Sequence, residues 1–384
     1  MSYEFTMPRK TLIGSGALEQ AEGEMKSFGK HALIVTGKIV TKMGIVDKLI
    51  AYLQKWEIGY SIFNELPDEP TDEMIEAGLQ IYLKEKCDFC IGIGGGTPLD
   101  AAKAILMRTV LPAPLSQYMG KEISGTFPAY VAIPTTAGTG SETTKFTIIT
   151  DTQKNVKMLL KGNALLPELA ILDASFTMSV PTSVTAATGM DALTHAVEAY
   201  TSRRSNSITD LYAISAVKKI FKYLPKVYKN PEDVEAREAM ILASYEAGVC
   251  INNSSVTLVH GMSRPIGALF HVPHGISNAM LIKECLSYVL DGAYELFGNL
   301  AREIGVADGG DSDESAAKKF IQALEELCKI CEIPTLQEYG INKQAFEEKM
   351  DKMAGDAITS GSPANTIKEV EKADLINIYK KLWE

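Results

Sequence analysis

The sequence is short of several features that would each have pointed to a function. It has five histidines and two tryptophans, and no apolar run approaches the length of a membrane span. No strongly basic cluster offsets the formal net charge of −10, so neither nucleic acid nor a membrane surface is an expected partner. The opening residues, Met1 to Lys10, lack the apolar core of a signal peptide, and a cytoplasmic protein is expected. There is no G-x-x-x-x-G-K-S/T loop, and no G-x-G-x-x-G fingerprint opens the first strand–helix unit. A P-loop NTPase and an ordinary Rossmann enzyme are both disfavoured. Internal repeats and low-complexity tracts are missing too.

Six cysteines are present, four of them in two C-x-x-C spacings, Cys87–Cys90 and Cys328–Cys331. That spacing invites a zinc or redox reading. However, Cys87 and Cys90 lead into the apolar run Phe89–Ile93, and the second pair lies on an amphipathic helical stretch. Reduced, structural thiols are the better expectation.

At 384 residues the chain is long for one core, and two domains are expected. From Lys30 onward short β-branched runs alternate with helical stretches. The runs are His31–Val35, Gly59–Phe63, Asp88–Ile93, Ala129–Ile133 and Leu169–Leu172, with helices near Thr41–Lys55, Thr71–Lys86 and Pro98–Met107. Near-continuous apolar strands alternating with helices imply a parallel sheet covered on both faces. Beyond about Val180 the pattern becomes helical, as in Leu211–Tyr223, Val234–Cys250, Ala316–Cys331 and Asp374–Leu382. The expectation is an α/β domain over 1–181 and an all-helical domain over 182–384, with Thr182 or Ser183 capping the first helix of the second.

Ligands of a parallel sheet bind beyond the carboxyl ends of its strands. Two of those ends carry unusual loops. After Ile93 comes Gly94-Gly95-Gly96-Thr97-Pro98-Leu99-Asp100, where three glycines let a phosphate approach the backbone amides. The helix that follows aims its positive end at the anion, with Pro98 suited to its first position. After Ile133 comes Pro134-Thr135-Thr136-Ala137-Gly138-Thr139-Gly140-Ser141-Glu142, small and hydroxylated. Either loop alone is as well explained by a tight turn; two at successive strand ends point to a nucleotide.

The histidines concentrate in the helical half. His31 begins the first central strand and reads as structural, whereas His195, His260, His271 and His274 all lie beyond residue 181. In the helical stretch from Gly189 to Tyr200, Asp191 and His195 are four apart and share one face, about 6 Å apart at Cβ. Such a pair is by itself most often a surface hydrogen bond. With the other histidines it completes a four-ligand set: Asp191, His195, His260 and either His271 or His274. Three neutral imidazoles and one carboxylate suit Fe²⁺ or Zn²⁺ better than Ca²⁺ or Mg²⁺. Spacing does not choose between His271 and His274.

These motifs, Gly94–Lys103, Pro134–Glu142, Gly189–Glu198 and His260-Gly-Met through Pro273-His-Gly275, together resemble the iron-containing (group III) alcohol dehydrogenases, which include lactaldehyde reductase, 1,3-propanediol dehydrogenase and butanol dehydrogenase. The likeness runs the whole length. It implies a dehydroquinate synthase-like fold with a dinucleotide domain and a helical metal domain. It implies metal ligands Asp191, His195, His260 and His274, leaving His271 as a neighbour of substrate or nicotinamide. The implied coenzyme contacts are Gly95, Gly96, Thr97, Asp100, Thr135, Thr136 and Thr139, with Lys157 and Leu172. The implied chemistry is hydride transfer between NAD(P)(H) and a small primary alcohol or aldehyde, with the metal as Lewis acid and a homodimer or higher homo-oligomer as the assembly. Iron follows from the resemblance; affinity order favours zinc.

Three departures from the family pattern stand out. Many members carry Asp after the first central strand, where this chain has Gly37 and then Lys38. Loss of that carboxylate removes repulsion against a 2′-phosphate, and NADPH is slightly favoured over NADH. The second histidine that often follows the ligand His260 by four residues is Arg264 here, which is no general base near neutral pH; His271 is the substitute. The Pro-Asn-Pro-Thr stretch of relatives is Asp68-Glu69-Pro70-Thr71. Two alternatives compete: a metal and NAD-dependent lyase like dehydroquinate synthase, or a nucleotide- or metal-sensing protein. The lyase needs clustered cations for a phosphate-bearing substrate, and the helical-half motifs offer only Arg264.

Overall fold

The computed structural model describes residues 2–67, 69–154 and 156–384, so Asp68 of the stretch just discussed lies outside the described residues. The chain forms two compact units that divide between Val180 and Pro181.

In the first unit the strands are β1 (Lys10–Ile13), β2 (His31–Thr36), β3 (Gly59–Phe63), β4 (Phe89–Gly94), β5 (Tyr130–Pro134), β6 (Phe146–Asp151), β7 (Val156–Lys161) and β8 (Leu169–Leu172). Six make one sheet in the order β1-β8-β5-β4-β2-β3, and each pairing is parallel. Alternate residues of β2 feed two cores. Leu33 and Val35 pack with Ile75, Leu99 and Ile105, while Ala32 and Ile34 pack with Leu18, Leu49 and Leu53. Burial on both faces explains why these strands read as continuous apolar runs.

The sheet order reverses at β2. The chain steps from β2 to β3 on one side, then places β4 and β5 on the other. The carboxyl ends of β2 and β4 therefore flank a topological switch point, the usual place for a ligand in an open α/β sheet. Gly37 and Lys38 leave β2 there, and the three-glycine loop leaves β4.

Several local expectations need correction. The helix after β4 runs from Gly96 to Val110 with Gly95 as N-cap, so Pro98 occupies its third position and not its first. The proline is accommodated because first-turn N–H groups have no intrahelical acceptor to lose. The single helix expected over 41–55 is two, Lys38–Lys42 and Ile45–Lys55, separated by Gly44 in the left-handed region at φ 71°. An antiparallel β6–β7 hairpin, absent from the sequence expectation, adds a second small sheet. All six cysteines are free thiols; five are buried and Cys328 is half-buried.

The second unit is helical. Thr182–Tyr200, Ser207–Lys229, Val234–Asn253, Leu258–Phe270 and His274–Val289 pack against one another, and Tyr294–Glu303, Asp313–Ile330, Lys343–Thr359 and Lys372–Lys381 complete it. Thr182 and Ser183 do not cap the first helix. Pro181 is its N-cap, with no side-chain capping bond. Among the described residues no helix is long and apolar enough to cross a membrane.

Candidate metal and nucleotide sites

Four side chains from three helices of the second unit converge. Asp191 and His195 share a face of Thr182–Tyr200, His260 lies in the first turn of Leu258–Phe270, and His274 opens His274–Val289. One donor atom from each lies within 4.8 Å of the others. The Nε2 atoms of His195, His260 and His274 stand 3.8, 3.7 and 3.7 Å from Asp191 Oδ1. A four-coordinate ion with bonds of about 2.1 Å spans edges of about 3.4 Å, so Asp191 Oδ1 needs to approach each imidazole by only a few tenths of an ångström, and the most widely separated donors must draw in further to hold a small divalent ion. Asp191, His195 and His260 are buried, while the His274 side chain is 46% exposed and leaves that side open.

The electrostatics favour the ligating protonation states. Burial alone would raise the Asp191 carboxyl, but the imidazoles of His195, His274 and His260 and the Asn278 amide hold it below its ordinary value. Burial, reinforced by His195 and His274, pushes His260 well below the usual imidazole range, which keeps it neutral. These are the forms a metal requires.

Two further residues complete this arrangement. Glu198 Oε2 lies 2.6 Å from His260 Nδ1. Its other oxygen accepts from Thr257 Oγ1 at 2.9 Å and from the Val259 amide at 2.6 Å. The pairing fixes Nδ1 as the protonated nitrogen and turns the Nε2 lone pair inward. Asn278 is wholly buried, and its Nδ2 donates to Asp191 Oδ1 at 2.7 Å. Sequence reasoning passed over both as site residues. Their signals were spacing: Glu198 is three residues beyond His195 on the same helix, and Asn278 is four beyond His274.

His271 stands apart from this cluster. It is the C-cap of Leu258–Phe270, exposed and in the left-handed region at φ 55°.

In the first unit the two expected loops interlock. Gly94 pairs with Pro134 across the β4–β5 ladder, and the Thr135 amide donates to the Gly94 carbonyl at 2.9 Å. Gly94 sits at φ 148°, and a Cβ there would lie 2.4 Å from Pro98 Cγ, so glycine is required. Cβ atoms added at Gly95 and Gly96 would meet Thr136 Oγ1 at 3.5 Å and Thr139 Cγ2 at 3.3 Å. Thr136 Oγ1 is buried with no hydrogen-bond partner among the described residues, and the helix starting at Gly96 has no side-chain cap. A bare helix N-terminus beside an unpartnered hydroxyl suits an anionic nucleotide.

The remaining nucleotide candidates are placed as follows. Thr97 lies in the first turn of the same helix, partly exposed. Asp100 is engaged within the fold, accepting from Ser141 Oγ at 2.5 Å and from the Ile148 amide at 2.9 Å. It ties the second loop and β6 to the helix. Lys103 reinforces that tie through Ser141, Thr144 and Phe146. Leu172 ends β8 at the same sheet edge, fully buried. Lys38 pairs with Glu65 at 2.5 Å, and Lys157, on the β6–β7 hairpin, pairs with Glu69 at 2.6 Å.

Comparison with known proteins agrees with this picture. Residues 8–174 match the iron-containing alcohol dehydrogenase family model, and residues 185–383 match the model of the C-terminal region of the Fe-containing alcohol dehydrogenase family. The chain is 36% identical to the NAD-dependent methanol dehydrogenase of Bacillus methanolicus, covering 94% of this chain and 95% of that one. It is 34% identical to the NADPH-dependent butanol dehydrogenase of Clostridium saccharobutylicum, covering 99% and 97%. A crystal structure of a 1,3-propanediol oxidoreductase superposes with a TM-score of 0.96 at 33% identity, each chain covered completely. The chain belongs to the iron-containing alcohol dehydrogenase family and is a metal-dependent alcohol oxidoreductase.

Proposed function

We propose that this protein interconverts a small primary alcohol and its aldehyde with NADPH as the favoured coenzyme, through a divalent ion held by Asp191, His195, His260 and His274. The observation that carries the reading is the convergence of those four donor atoms within 4.8 Å of one another. An ion held there supplies Lewis acidity toward an alcohol or carbonyl oxygen. The chain's own part is to hold the donors ready. Glu198 keeps the His260 lone pair inward, and Asp191 stays ionised. The exposed edge of His274 leaves one approach to the donor set. His271, exposed at a helix end three residues before His274, is the candidate carrier of the alcohol proton.

The coenzyme is assigned to the carboxyl edge of the parallel sheet. Gly94, Gly95, Gly96 and Thr97 offer backbone amides, and Thr135, Thr136 and Thr139 offer hydroxyls. Gly37 presents no carboxylate to a 2′-phosphate, and Lys38 follows it at the same strand end. The Lys38–Glu65 pair is exposed on both sides and therefore weak, so it leaves Lys38 available. Asp100 supports this edge by pinning the second loop. Lys157 and Leu172 are assigned to its flanks. A cytoplasmic homodimer is part of the same reading.

The test is an anaerobic panel of C2–C6 aldehydes with Fe²⁺ or Zn²⁺ restored and NADH and NADPH supplied separately. The reading predicts turnover that depends on added metal and is faster with NADPH. Tight binding of NADPH and metal with no turnover of any aldehyde would favour the sensing protein. NADH outrunning NADPH would overturn the coenzyme assignment alone.

A further inference from the structure

Asn278 lies one turn beyond His274 on the same helix face, with no exposed surface. Its amide nitrogen contacts three of the four donor atoms: Asp191 Oδ1 at 2.7 Å, His260 Nε2 at 3.2 Å and His274 Nε2 at 3.2 Å. Its own Oδ1 is buried and has no hydrogen-bond partner among the described residues. An ordinary structural asparagine uses both ends of its amide, because a buried unpaired carbonyl is costly. Here the NH₂ end is committed to the donor set and the carbonyl end is left unmatched.

The amide direction is set by chemistry. The Asp191 carboxylate oxygen 2.7 Å away is an acceptor, and His260 presents a lone pair at Nε2 because its Nδ1 faces Glu198 at 2.6 Å. A carbonyl oxygen pointed at those two acceptors would be repelled, whereas an NH₂ group is attracted to each. The electropositive end of Asn278 thus stands among atoms that must all face one point. We propose that Asn278 is a positioning residue of the metal site: it draws Asp191, His260 and His274 together and sets the geometry in which they receive a cation. The inference rests on the assignment of the four residues as ligands.

The test uses the full chain with Zn²⁺ and Co²⁺ as probes, in wild type, Asn278→Leu, Asn278→Ala and Asp191→Ala. Leucine keeps the bulk of the side chain and removes the donor. The dissociation constant for Zn²⁺, measured by chelator competition, rises about 10- to 100-fold in Asn278→Leu, the usual effect of losing a partner that orients metal ligands. The visible Co²⁺ spectrum of the variant broadens and weakens as the site loses a single geometry. Asn278→Ala, which can leave a cavity but cannot overpack, shows the same spectral change and covers the case in which leucine does not fold. Wild-type Zn²⁺ affinity together with a wild-type Co²⁺ spectrum in either folded variant overturns the proposal. Asp191→Ala separates the two readings. If it keeps full metal content, the ligand assignment itself fails; if it loses metal while the Asn278 variants remain like wild type, only the role of Asn278 fails.

Discussion

At position 37 the backbone has φ −96° and ψ 154°, an extended conformation open to any residue. A Cβ added there would meet nothing closer than the Leu66 carbonyl at 3.7 Å, an ordinary contact. Glycine is therefore not demanded by the fold, and under the proposed coenzyme assignment its effect falls on the ribose end of the coenzyme. Gly37→Asp should fold normally. Position 37 is also the N-cap of Lys38–Lys42, where an aspartate in place of glycine adds only about a few tenths of a kcal/mol of helix stabilisation, so the melting temperature is expected to stay near its starting value. The new carboxylate would face a 2′-phosphate with like charge. We expect the ratio of kcat/KM for NADPH over NADH to fall at least tenfold, equivalent to about 1.4 kcal/mol of discrimination. An unchanged ratio in a stably folded variant would move the ribose end of the coenzyme away from β2.

The helix Thr182–Tyr200 carries two of the donor residues, and its position depends on Gly189, two residues before Asp191. A Cβ at Gly189 would lie 2.5 Å from Leu224 Cδ1 and 3.2 Å from Met240 Cε, on the two neighbouring helices. Leu224 is fully buried and has little room to yield. Alanine gains about 1 kcal/mol of helix propensity over glycine. Overpacking costs about 1–3 kcal/mol, so Gly189→Ala should be destabilised by up to about 2 kcal/mol in denaturant unfolding and should bind Zn²⁺ more weakly. A variant stabilised by the whole propensity gain would mean that the helices part without cost. At this scale the sequence was readable where periodicity is strong. The parallel strands showed as apolar runs, and the histidines pointed to the helices whose side chains converge in the structure. The β6–β7 hairpin was lost because burial there does not follow polarity: Thr147 and Asp151 are buried, whereas Val156 and Leu159 are exposed. β1 was lost because its partner β8 lies more than 150 residues away. Glu198 and Asn278 have ordinary spacings, and their meaning comes from side chains that other helices deliver to them.

Over the whole molecule, the two kinds of ligand are assigned to separate parts of the chain. The four donor atoms belong to residues beyond Pro181, and the glycine and threonine loops belong to the unit that ends at Val180. A ligand that binds only the folded form stabilises what it binds, by about 2.7 kcal/mol when its concentration is 100 times the dissociation constant. For a unit of about 200 residues that corresponds to a melting shift of roughly 5–10 °C. Zn²⁺ added to chelator-treated protein should therefore slow hydrogen exchange in Thr182–Tyr200, Leu258–Phe270 and His274–Val289. NADPH added without metal should slow it chiefly in β4, β5 and Gly96–Val110. Exchange resolved by peptide distinguishes the two patterns, because each ligand should leave the other set of peptides near its starting rate. Equal protection of both sets by Zn²⁺ alone would show that the units open as one, and the stability conferred by the metal would then belong to the entire chain.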